Sequence, residues 1–273
     1  MKRRLFHALQ QLVRFGWQQA LSCVFPVVIF ASLALTKFIH LPWLPRYDWL
    51  LIICLAMQVW MLRSGLETRD ELKVITVFHL IGLALELFKV RMGSWSYPEE
   101  GWTKVYGVPL YSGFMYASVA SYLCQAWRRL KVELVRWPSL WLVTPLAAAI
   151  YLNFFTHHFL VDIRWWLAGL VLIVFSRTWV TYEVGRHRYR MPLILSFVLI
   201  GFFIWIAENV ATFFSAWEYP NQADSWRLVH VGKVSSWVLL VIVSFLIVAS
   251  LKQIKEKRTK NGKDSGTPTR QEN

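Results

Sequence analysis

Apolar residues recur along the chain in eight long stretches separated by short polar segments, at roughly 18–39, 47–63, 73–91, 107–127, 138–157, 163–181, 192–212 and 228–251. Each approaches the ~20 mostly apolar residues that carry a helix across the hydrocarbon core of a bilayer. The second stretch is short, but without it the sidedness described below fails. No soluble domain fits between the stretches. After Lys252 the chain turns Lys-, Gly- and Ser-rich, which predicts a disordered tail over 256–273. The expected fold class is all-α: a polytopic membrane bundle of about eight transmembrane helices.

Composition agrees with that pattern. Of 273 residues 56% are apolar and 17% are charged, with 16 Trp and 18 Phe; soluble domains carry about 25% charged residues. Cys23, Cys54 and Cys124 fall inside apolar stretches and read as buried thiols rather than a disulfide framework. The basic start, Met1-Lys2-Arg3-Arg4, leads into an apolar run with no small-x-small cleavage pattern, so the first helix is expected to be retained.

The net charge of +14 gains meaning from its placement. With the N-terminus inside, 22 of the 30 Lys and Arg fall in cytoplasmic segments and eight in outer ones, while the acids divide evenly. This is the bias that orients membrane proteins. It places both termini in the cytoplasm of a cell-membrane protein, implies contact with anionic lipid, and argues against a nucleic-acid partner. Arg186 to Arg190 read as a topology determinant on the same grounds.

A pattern also repeats. Glu86 precedes Trp95-Ser96-Tyr97-Pro98, and Glu208 precedes Trp217-Glu218-Tyr219-Pro220, each as E-x8-W-x-Y-P and 122 residues apart. Phe25-Pro26 and Trp137-Pro138 open the first helix of each half. The chain is therefore expected to consist of two parallel four-helix halves, 1–130 and 131–255, related by an axis along the membrane normal.

Both glutamates fall at matching depth, about 9 Å below the outer end of their helices at 1.5 Å per residue. A carboxylate there must face the bundle interior, find partners or be protonated. Arg91, His157, Asp162, Arg164, Asn209 and Lys233 gather toward the same side, with Lys89, His40 and His158 near them. Together with Trp95, Tyr97, Trp217 and Tyr219 they outline an outer, mostly apolar pocket with a few polar groups. Each feature has a plainer reading: the aromatics suit an interfacial belt, the glutamates could brace loops, and His79 could be a packing histidine. Side chains of adjacent helical residues such as His157 and His158 diverge by about 100°, which argues against one shared metal ion. No metal or cofactor is expected, and no phosphate-binding, nucleophile-elbow or metalloprotease motif occurs.

The stretch from Glu86 through Pro98, Gly107-Val108-Pro109-Leu110-Tyr111-Ser112-Gly113-Phe114, Glu208 to Pro220 and Thr156 to Trp165 resembles the uncharacterised bacterial multi-pass membrane family typified by YoaT, over nearly the whole chain. Glu86, Gly93, Tyr97 and Gly107 to Leu110 are more distantly similar to the carotenoid hydratase and small-subunit lycopene cyclase membrane enzymes. That likeness implies an acid that protonates an isoprenoid double bond, with Glu86 at the acidic position. Leu110-Tyr111 stand where the cyclases carry an acidic pair, and the second half has Val231-Gly232-Lys233 in place of the Gly-x-Pro turn.

Three functions remain open on this reading. The first is a lipid- or isoprenoid-modifying enzyme with Glu86 or Glu208 as general acid and the other residues binding substrate. The second is a transporter or permeability factor for a small solute, and the third a non-catalytic membrane protein that binds a partner. Membrane lipid and an apolar or isoprenoid ligand are the expected partners.

Overall fold

The computed structural model describes residues 2–264, with side chains from Leu5 to Ala249. A helix occupies each of the eight apolar stretches: α2 (Val24–Phe38), α3 (Arg46–Arg63), α4 (Arg69–Arg91), α5 (Ser112–Arg129), α6 (Leu140–Thr156), α7 (Arg164–Phe175), α8 (Leu193–Phe213) and α9 (Lys233–Asp264). The start of α4 is fixed by a capping box, in which the Glu71 amide donates to Thr68 Oγ1 and the Thr68 amide to the Glu71 carboxylate. Backbone of α9 continues into the expected tail as far as Asp264, and residues 265–273 lie outside the described ones.

Three expectations change. The first apolar stretch is not one helix: a preceding helix, α1 (Lys2–Ser22), meets α2 at Cys23 with a bend of 69°. Leu5, Phe6, Leu9, Leu12, Val13 and Trp17 form its exposed apolar stripe at helical spacing. Phe15 and Gln19 turn inward, toward Tyr182 and the Tyr122 hydroxyl.

The bundle is also not all-α. Strands β3 (Glu133–Val135), β4 (Trp179–Val184) and β5 (His187–Pro192) form an antiparallel sheet in that order, and β1 (Lys104–Val105) pairs with β2 (Val108–Pro109). The stretch expected to remain helical to 181 leaves its helix at Phe175. Trp179-Val180-Thr181-Tyr182 are β-branched or aromatic residues that favour a strand, and Gly185, at φ +63°, turns β4 back into β5.

Thirdly, among the described residues only α8 is both long and apolar enough to cross a membrane by itself, and the bent α1–α2 pair meets that test if taken as one span. The others are shorter or carry charges. Some of those charges are buried: Asp48 of α3 and Glu86 of α4 are no more than 5% exposed, as is Glu208 on α8 itself. Conversely, Ile52, Leu55, Val59 and Trp60 of α3 and Val198, Phe202, Phe203, Ile206 and Phe213 of α8 lie on the surface.

Loops meet at two opposite ends. At one, Arg128 reaches the Leu66 carbonyl and Glu71, and β3 joins the β4–β5 hairpin. At the other, the segments around 40–46, 92–104, 157–163 and 214–232 converge. Lys89 contacts His157 and His158 there, and Arg46 reaches Phe214 and Ser215.

Candidate functional site

At this second end, Glu86 occupies the penultimate turn of α4. Its carboxylate accepts three hydrogen bonds: from Trp95 Nε1 at 2.7 Å, Tyr97 at 2.8 Å and Tyr116 at 2.8 Å. Tyr116 arrives from α5, and Gly82 makes room for it. A Cβ on Gly82 would stand 2.3 Å from the Tyr116 ring, so this crossing requires glycine one turn before the glutamate.

Glu208 has a parallel arrangement on α8, accepting from Tyr219 on one oxygen and from Trp237 of α9 on the other. Burial, reinforced by the neighbouring glutamate in each case, pushes the Tyr97 and Tyr219 phenols well above the usual tyrosine range. They remain protonated and can donate. The two loops also join: Ser96 and Glu218, the equivalent positions of the two W-x-Y-P motifs, exchange both backbone hydrogen bonds at 2.9 Å. Trp95 and Tyr219 meet edge to face across that junction at 6.0 Å.

Above these clusters lies a cavity of about 150 Å³. Trp95, Tyr116, Tyr219 and Trp237 form its floor, and Ile150, Phe154, Leu239 and Leu240 its apolar wall. Neither glutamate lines it; the aromatic donors stand between each carboxylate and the space. Lys89, His157, Arg164 and Lys233 supply its polar edge. Lys233 Nζ sits 4.6 Å from the Tyr219 ring centroid and 5.7 Å from that of Trp95, cation–π distances.

Several residues expected at the site are elsewhere. Arg91 is exposed. Trp217 is buried in the core, and Trp237 takes the donor role toward Glu208. Asn209 is structural: its side chain donates to the Trp205 carbonyl and accepts from the Val229 amide. Asp162 lies behind Arg164, bonded to it and to Asn153. Burial works to raise the Asp162 carboxyl, but hydrogen bonds from the Arg164 amide, Asn153 and the guanidinium outweigh it, and the group sits below the usual carboxylate range. Among the described residues no cluster of three His, Cys, Asp or Glu is placed to hold a metal.

Tyr116 and Trp237 are not singled out by the sequence. Both reach their carboxylates from the following helix, 30 and 29 residues on, with no local motif. Gly82 is the trace of Tyr116, and Gly201, where a Cβ would stand 2.5 Å from Val238, marks the matching crossing beside Trp237.

The molecule is thus a helical protein with an apolar core that holds several buried charged residues, extensive apolar outer faces and a paired acid–aromatic site at one end. The chain belongs to the family described as "Protein of unknown function (DUF817)", whose model matches residues 11–245. It is 81% identical over 250 residues to "Uncharacterized protein YoaT" of Bacillus subtilis (strain 168), covering 92% of this chain and 95% of that protein. No solved structure matches it.

Proposed function

We propose that the chain is a multi-pass protein of the cell membrane, with both termini cytoplasmic and two parallel four-helix halves, that binds a lipid or isoprenoid in the pocket between those halves. The observation that carries this is the distribution of polarity. Glu67, Glu86, Glu208, Asp48 and Arg46 are buried, while large apolar side chains cover α3, α6, α7 and α8 on the outside. A soluble monomer seldom exposes contiguous apolar surface on that scale; in lipid the same arrangement is the favourable one. Helices such as α2, at 15 residues about 22 Å long, can be accommodated by thinning of the bilayer and by anchoring residues at their ends. The 69° bend lays α1 along the inner surface with its apolar stripe in the headgroup boundary.

Topology reporters test the membrane reading. Fusions at Arg129 and Arg188 are expected to report cytoplasm, and fusions at Glu99 and Asp224 exterior. A reversed signal at any of the four rejects the eight-span arrangement.

The pocket supports the ligand class. It draws Lys89, Trp95 and Tyr116 from the first half and Ile150, Phe154, Leu239 and Leu240 from the second, and its wall is apolar. Protein purified in mild detergent is expected to carry a near-stoichiometric apolar-chain lipid, detected by mass spectrometry of the extract. Leu240→Trp, which fills the cavity, should lose that lipid while melting like wild type. Wild-type protein free of lipid would sink the reading.

A second reading, enzymatic, draws on the phenols. Tyr116 and Tyr219 each touch a glutamate and the cavity, so either could pass a proton to a bound isoprenoid while taking one from the carboxyl below. This is the form in which the distant likeness to the carotenoid enzymes carries over, with Glu86 and Glu208 acting through tyrosine.

A further inference from the structure

Lys89 is 5% exposed, yet among the described residues it has no carboxylate partner. Its ammonium group instead meets His157 Nε2 at 3.3 Å and His158 Nε2 at 2.9 Å. The tautomer of His157 follows from its other nitrogen. Nδ1 lies 2.7 Å from the Asn153 carbonyl and must donate to it, which leaves the Nε2 lone pair facing the lysine. Burial and the lysine charge lower the pKa of His158, so it too is neutral and accepts. Both imidazoles therefore solvate a cation without neutralising it.

Two further cations line the same cavity. Arg164 is matched by Asp162, but its outer nitrogen continues to Ser236 at 3.2 Å, at the cavity edge. Lys233 is held over the Tyr219 and Trp95 rings rather than in an ion pair; the acid nearest to it electrostatically, Glu208, already accepts from Tyr219 and Trp237 beneath the floor. With Arg164 matched by Asp162, Lys89 and Lys233 are left beside an apolar wall without an ion-pair partner among the described residues, Glu208 acting on Lys233 only across the aromatic floor. Buried charges are retained when paired, so the unmet charge points to an anion that the cavity receives from outside.

We infer that the pocket recognises a phosphate monoester on an apolar chain, with the dianionic head between Lys89, Arg164 and Lys233 and the first carbons of the chain along Ile150, Phe154, Leu239 and Leu240. A dianion matches the two unmet charges, and the wall suits a hydrocarbon. The inference rests on the lipid-pocket reading above and specifies its headgroup.

The test uses full-length protein in detergent and three probes: dodecyl phosphate, dodecanol and inorganic phosphate. Wild type is expected to bind dodecyl phosphate about thirtyfold tighter than dodecanol, the scale of one buried charge pair, and inorganic phosphate weakly. Lys89→Met and, independently, Lys233→Met should each lose most of that preference while binding dodecanol as before. Equal binding of the alcohol and the phosphate would overturn the headgroup inference and leave the lipid pocket standing. Inorganic phosphate binding as tightly as dodecyl phosphate would also overturn it, making the ligand a soluble anion. Failure of both chain-bearing probes would remove the lipid pocket itself. Unchanged preference in both lysine variants would overturn the assignment of the head to this rim.

Discussion

Replacing Arg46 is expected to destabilise the protein by about 3 kcal/mol or more, the scale of breaking a buried ion pair by removing one partner. A guanidinium has five N–H donors, and Arg46 places all five: on Thr36 Oγ1 at 3.0 Å, Glu99 at 2.6 Å, and the carbonyls of Ser215 at 3.1 Å, Leu33 at 3.1 Å and Phe214 at 2.5 Å. These acceptors belong to α2, to the loop after α4 and to the end of α8, so one side chain ties three segments together. The Phe214 and Ser215 carbonyls follow the last turn of α8, where a cation also meets the negative end of the helix dipole.

Arg46→Met leaves those carbonyls buried without a donor. Arg46→Lys keeps the charge but offers three donors to five acceptors, and should recover less than half of the loss. Because Glu99 is 34% exposed, its share is discounted for solvent screening, and Glu99→Gln alone should cost well under 1 kcal/mol. Reversible unfolding of each variant by sodium dodecyl sulfate in mixed micelles measures the series. Near-equal stability of Arg46→Met and Glu99→Gln would mean that the carbonyl contacts contribute little.

Arg46 also marks where sequence reasoning ends. Its position at the start of α3 is visible as a charge beside an apolar stretch, but its acceptors at Phe214 and Ser215 are more than 165 residues away. Nothing local distinguishes it from an interfacial arginine. The same holds for Tyr116 and Trp237, whose roles depend on how α4 packs on α5 and α8 on α9. What was legible is what is local or periodic. The eight helices follow from apolar runs, and the Glu86–Trp95–Tyr97 contacts from the motif spacing.

Two elements that depart from the pattern of apolar runs carry a signal of their own in the sequence. In α1, Leu5, Phe6, Leu9, Leu12, Val13 and Trp17 recur at intervals of three and four, the period of an amphipathic helix. Over 179–184, Trp-Val-Thr-Tyr-Glu-Val followed by Gly185 has the composition and turn of a hairpin. It continues the preceding apolar run without a break, and a short apolar segment does not by itself distinguish strand from helix.

The buried glutamates give the other large effect, and their variants separate a bracing role from a chemical one. Glu86→Leu should cost about 3–5 kcal/mol, because it strands an indole N–H and two phenols in the interior at about 1–3 kcal/mol for each unsatisfied group, partly relieved by rotation of the hydroxyls. Glu86→Gln behaves differently. Trp95 can only donate, so the amide must turn its oxygen toward Trp95 and Tyr97, both of which address Glu86 Oε2. Its NH₂ then faces Tyr116, and a phenol oxygen can accept. Trp95 and Tyr97 keep their acceptor, the displaced Tyr116 hydroxyl hydrogen can turn into the cavity that this ring lines, and the cost should fall to about 1 kcal/mol, well below that of the leucine variant.

The same logic holds at Glu208, where Trp237 fixes the oxygen and Tyr219 turns to accept. If the glutamates only hold the aromatic floor, the two Gln variants should fold, retain the bound lipid and complement a deletion strain. If a carboxyl supplies a proton through Tyr116 or Tyr219, those well-folded variants should leave the lipid profile of the membrane as it is in the deletion strain, and Tyr116→Phe or Tyr219→Phe should do the same. Leu variants cannot make this distinction, since loss of fold and loss of chemistry coincide in them. The isosteric amide is informative because it keeps the size and hydrogen-bonding reach of the side chain and removes its ability to give or take a proton.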